Sequence, residues 1–98
     1  MKTFSETLRQ LREDNFLLLR QVAAILEVDT ALISKFESGV RRPTRKQIIS
    51  LAKLYKTNEK ELMIQFLSEK LAHEVQDEEF GIEALKVAEK KAKLFKTR

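Results

Sequence analysis

Few side chains in this chain are spaced for bond-making chemistry. His73 is the only histidine and there is no cysteine, so no Cys/His cluster offers metal-ligand spacing and no thiolate nucleophile exists. Asp77, Glu78 and Glu79 suit a helix N-terminus, where carboxylates meet the positive end of the macrodipole, better than an acid–base pair. No Gly-rich loop cradles a phosphate. The expectation is therefore a protein without enzyme activity, catalytic residues, metal or cofactor, and with no small-molecule substrate in view. What the spacing offers instead is contact chemistry. Thr30, Ala31, Ser34 and Lys35 fall on one side of a short segment whose other side carries Ile33 and Phe36, and Lys35 to Lys46 holds five bases (Lys35, Arg41, Arg42, Arg45, Lys46) against the single acid Glu37.

The elements that position these residues lie in Gln21–Phe36, QVAAILEVDTALISKF. Apolar residues at Val22, Ala23, Leu26, Val28, Ile33 and Phe36 predict two short helices, Leu19–Leu26 and Thr30–Ser38, joined by a turn at Glu27-Val28-Asp29. Ala23 is small where the helices cross, and Asp29 stands where a cap should accept backbone N–H groups. A helix with small outward side chains can approach the DNA major groove, so the pattern is that of a helix-turn-helix. Its contact residues are then Thr30, which can bond either base type, Ala31, which offers only apolar contact, and Ser34 and Lys35. Ser38, Arg41, Arg42 and Thr44 lie beside them. Leu32 fits equally the groove or the core. Arg41 and Arg42 fall in a loop read as flexible, which suits backbone positioning over base readout.

The flanking chain reads as helical throughout, since two glycines and one proline leave little material for hairpins. Thr3 with Glu6 makes a capping box for a first helix to Asp14, with Phe4, Leu8 and Leu11 on one stripe and Asn15 as the left-handed stop. Leu17 plugs the core, while Leu18 and Leu19 stand where a polar cap is wanted. Gly39 ends the third helix. Thr44 with Gln47 opens a fourth, which turns Ile48, Leu51, Ala52 and Tyr55 inward, and Asn58 with Glu61 opens a fifth carrying Leu62, Met63, Ile64, Phe66, Leu67, Leu71 and Val75. Asp77 is expected to cap a sixth, with Ile82, Leu85, Ala88, Ala92 and Phe95 at helical spacing.

Charge divides along the same line. Residues 1–57 hold 11 Lys+Arg against 6 Asp+Glu, a net +5, and residues 58–98 hold 8 against 9, a net −1. Residues 1–57 are accordingly read as the DNA-binding core and 58–98 as a helical extension that dimerises, because its fifth helix is apolar over more than one face and must be covered on two sides. No apolar run reaches the roughly 20 residues of a membrane span and MKTFSETLRQ lacks a signal-peptide core, so a cytoplasmic protein without membrane association is expected.

From Leu8 to Leu62 the chain resembles the phage-repressor-like helix-turn-helix family, which holds the lambda and 434 repressors, Cro proteins and restriction–modification controller proteins. The resemblance lies in LRQLRED, VAAILEVDTALISKFESG, a following Pro43 and ISLAKLYKTNEKEL. It implies an all-α, five-helix repressor-like DNA-binding domain, here with an additional C-terminal helix, acting as a homodimer on double-stranded palindromic operator DNA. It also implies a pair between Arg12 and Glu37, and Glu37 on an otherwise inward face would be costly without one. Three positions depart from the pattern. Glu27 stands where the family usually has a turn glycine, so it must carry backbone strain or bend the turn differently. Leu18 and Leu19 stand in place of a polar cap and a phosphate-binding glutamine, leaving that contact to Arg20 or Gln21. The regulator reading has two competitors, an antitoxin of a toxin–antitoxin pair and an interaction module that has lost DNA binding. The bases from Arg41 to Lys46 weigh against the second.

Overall fold

The computed structural model describes residues 1–97, and every regular element among them is helical. In order these are α1 Phe4–Asp14, α2 Leu19–Leu26, α3 Thr30–Ser38, α4 Arg45–Leu54, α5 Glu59–Val75 and α6 Gly81–Lys96. The fold class is all-α, a repressor-like arrangement of five helices followed in sequence by one more. Three of the starts are chemically marked. Thr3 Oγ1 accepts from the Glu6 N–H at 3.1 Å while Glu6 Oε1 accepts from the Thr3 N–H at 3.1 Å. Thr44 and Gln47 repeat that reciprocal box, and Asn58 Oδ1 accepts from the Glu61 N–H at 2.9 Å.

Two compact units make up the chain, Met1–Phe66 and the residues from Leu67 onward. In the first, Leu8, Val22, Ile33, Ile48 and Leu51 are fully buried, and Phe4, Ala23, Phe36, Ala52, Tyr55, Leu62 and Met63 complete the core. α3 packs against both α1 and α2. Phe4 and Phe66 meet edge to face, with centroids 5.4 Å apart. Leu17 and Leu19 pack on this core.

Four helices end in the same way. Phe16, Glu27, Gly39 and Lys56 all have positive φ, at 55°, 57°, 82° and 54°. After each, the next N–H reaches back to the carbonyl five residues earlier: Leu17 to Arg12, Val28 to Ala23, Val40 to Lys35 and Thr57 to Ala52, at 3.0 to 3.1 Å. These are Schellman-type closures, and only one of the four uses glycine.

Two helix-boundary expectations are corrected. Asn15 does not take the left-handed conformation (φ −94°); its Nδ2 donates to Leu11 O at 2.8 Å and Tyr55 O at 3.2 Å, and the positive φ passes to Phe16. Asp77 does not cap the last helix, which begins at Gly81 with Phe80 in the cap position. Residues 76–80 are consumed in a tight corner, where Glu78 N–H bonds Val75 O and Gly81 N–H bonds Glu78 O. A Cβ at Gly81 would lie 2.5 Å from Val75 O, so a larger residue could not turn it.

Candidate nucleic-acid interface

The turn between α2 and α3 is built from backbone. Glu27 in the left-handed region donates its N–H to Ala24 O at 3.3 Å, and Val28 folds over onto the core. Asp29 then provides the extended N-cap backbone (φ −70°, ψ 145°) and its carbonyl accepts from Leu32 N–H at 3.0 Å. The expected side-chain cap is absent, because Asp29 makes no side-chain hydrogen bond to α3. Only its backbone opens the helix.

α3 is held by Ile33 and Phe36, each 2% exposed. Leu32 is half-buried and packs on the core, as one of its two readings expects. On the outer side Thr30, Ala31, Ser34, Lys35 and Ser38 are all exposed, a surface of small side chains around one long cation. Ser38 Oγ donates to Lys35 O at 3.2 Å.

Glu37 is kept on the inner side by Arg12. Nε donates to Oε2 at 2.8 Å and Nη2 to Oε1 at 3.0 Å, while Nη1 donates to Leu17 O at 2.9 Å. The guanidinium thus ties α3 to α1 and to the start of the α1–α2 connection. Donation to the Glu37 carboxylate holds the Arg12 pKa above its ordinary value. Nearby, burial first and the Glu37 carboxylate second push the Tyr55 phenol well up, with Arg12 opposing.

The basic segment after α3 is tied at both ends. Val40 and Arg41 both donate their N–H groups to Lys35 O, at 3.0 and 3.3 Å, Pro43 is buried, and Thr44 caps α4. The reading of this loop as flexible is therefore corrected: its backbone is anchored while Arg41 and Arg42 remain exposed. At the start of α2, Arg20 and Gln21 are exposed too. Gln21 Oε1 accepts from the Leu18 N–H at 2.8 Å, so the polar cap missing from Leu18 and Leu19 comes from inside the helix. Leu19 packs inward and Leu18 stays 48% exposed.

The ten residues singled out from the sequence are thus all exposed, on α2, α3 and the segment leading into α4. Arg9 was not among them. With Arg12, Leu19, Ser34, Glu37 and Ser38 it lines a cleft beside α3, its Nε 3.3 Å from Glu13 Oε1. Its position one turn before Arg12 was the available signal. His73 lies exposed on α5, and among the described residues no group of His, Cys, Asp and Glu is arranged to hold a metal. No helix among them is long and apolar enough to cross a membrane.

Comparison with known families matches residues 3–63 to a helix-turn-helix domain. No curated protein and no solved structure matches the chain. The match spans well over half of the sequence, from the first capping residue to the buried start of α5, and supports a DNA-binding regulator in general terms. The chain belongs to the helix-turn-helix domain family.

Proposed function

We propose that the protein is a sequence-specific transcriptional regulator of the phage-repressor-like kind, cytoplasmic, and acting as a symmetric homodimer on a palindromic operator in the manner of a restriction–modification controller or a phage-type repressor. The observation that carries this reading is the exposed face of α3, polar and closely approachable, with an anchored basic segment directly behind it. Thr30, Ser34 and Lys35 then meet base edges, with Ala31 against a thymine methyl. Arg41, Arg42, Arg20 and Gln21 bind backbone phosphates, Gln21 through the Nε2 that its capping bond leaves available. The Ser38 and Thr44 hydroxyls flank them. Residues 1–57 supply the DNA-binding core and residues 58–98 the dimer contacts.

An antitoxin is the second reading, favoured by the exposed Leu18 and Ile25, at 48% and 56%, which offer a protein partner apolar surface on the DNA-binding unit. Selection from a random duplex pool separates the two uses of the fold. The expected result is enrichment of an inverted repeat whose half-sites lie about one helical turn apart, roughly 34 Å. Recovery of no enriched sequence at low salt would overturn the regulator reading.

A further inference from the structure

The unit beginning at Leu67 is poorly covered. Leu71 of α5 is 55% exposed, and on α6 Ile82, Leu94 and Phe95 are 63%, 54% and 61% exposed. Gly81 is the only buried residue of α6. Several large apolar side chains left exposed in one small unit mark an interaction surface. The charges around that surface are divided by the Gly81 corner. Residues 67–80 hold 5 acids against 1 base (net −4), and residues 81–98 hold 6 bases against 2 acids (net +4).

This division selects the occupant. The two halves cancel, so the unit as a whole has no net attraction for an anionic membrane or for nucleic acid. A second copy of the same chain carries both complements. Across a twofold axis the same patch appears on both partners, so each protomer can present α6 to the partner's acidic stretch and receive the partner's α6 on its own. Like-on-like pairing would instead set −4 against −4 and +4 against +4, and opposed like charges are unfavourable. We propose that the protein dimerises by reciprocal exchange, with the basic, apolar α6 of each protomer lying on the acidic end of the partner's α5 and the residues that follow it. This rests on the reading of the protein as a homodimer and specifies the surfaces that pair and their polarity.

The test needs no DNA. One variant of the full chain carries Glu74→Lys, Glu78→Lys and Glu79→Lys; the other carries Lys86→Glu, Lys90→Glu and Lys91→Glu. All six side chains are exposed, so helicity should persist by circular dichroism. If either triple set loses helicity, Glu79→Lys and Lys90→Glu alone are read in the same way. In sedimentation equilibrium at low ionic strength the wild type is expected to dimerise, and each variant alone to do so about 10- to 100-fold more weakly. An equimolar mixture should recover wild-type affinity, because both interfaces of the heterodimer again pair opposite charges. Variants that dimerise like the wild type would overturn the exchange and leave the homodimer standing. Weakened variants that fail to rescue one another would also overturn it, because their charges then pair within one chain. A monomeric wild type, whether or not it binds anionic phosphatidylserine vesicles, would overturn both.

Discussion

Glu37 shows how much depends on single residues in a unit this small. Its side chain is 8% exposed and that of Arg12 13%, and the two meet through two hydrogen bonds, with a third from Arg12 to Leu17 O. Such a pair contributes little over an apolar replacement of equal shape, but removing one member strands a desolvated charge. Glu37→Ala is therefore expected to cost about 3 kcal/mol or more in urea unfolding. Arg12→Met combined with Glu37→Leu should recover much of that loss. A Glu37→Ala loss below about 1 kcal/mol would show that water reaches the guanidinium. An acid on an otherwise inward face made the need for a partner legible in the sequence, and the family resemblance implied Arg12 as that partner. The third bond, to a backbone carbonyl in the connection, was not, because no side chain announces it.

At the scale of the helix, stops are less legible than starts. Ser, Thr and Asn caps followed three residues later by Glu or Gln are local patterns, and Thr3, Thr44 and Asn58 mark their helices as expected. Asn15 and Asp77 failed for reasons that lie elsewhere in the chain. The Asn15 amide found a carbonyl 40 residues away on Tyr55, and the corner before Gly81 absorbed Asp77 and the residues after it. The candidate site follows the same division. The outward face of α3 follows from apolar spacing alone, and the Gln21 cap is a local bond across three residues that Leu18 in the cap position conceals, whereas the burial of Pro43 and the cleft that Arg9 lines beside α3 depend on tertiary packing. The three non-glycine left-handed residues carry a testable cost. A Cβ in this region costs roughly 1–2 kcal/mol, offset in part by the greater freedom of glycine in the unfolded chain. Phe16→Gly, Glu27→Gly and Lys56→Gly should each stabilise by about 0.5–1 kcal/mol; Phe16 and Lys56 flank the two residues joined by the Asn15–Tyr55 hydrogen bond, so their effects should couple and not simply add. Phe16 is 92% exposed, so little packing is lost there. Urea midpoints of the single and triple variants check this. A clear loss for Glu27→Gly would reveal a needed contact by the glutamate side chain.

At the scale of the whole molecule, charge is unevenly divided along the chain. The net +4 of the chain is the sum of +5 from residues 1–57 and −1 from residues 58–98, so the excess of positive charge sits with the helix-turn-helix and not with the extension. In the proposed complex the basic segment after α3 meets phosphate and releases condensed counterions, a contribution read directly from the salt dependence of affinity. The most direct measurement is the slope of log affinity against log salt for the wild type, Arg41→Ala and Arg42→Ala, on both selected operator and random duplex. The expected result is a steep wild-type slope, reduced by about one for each lost arginine, with affinity falling alike on both DNAs. Variants that bind both DNAs with unchanged affinity and unchanged slope would contradict the placement of DNA phosphate at Arg41 and Arg42.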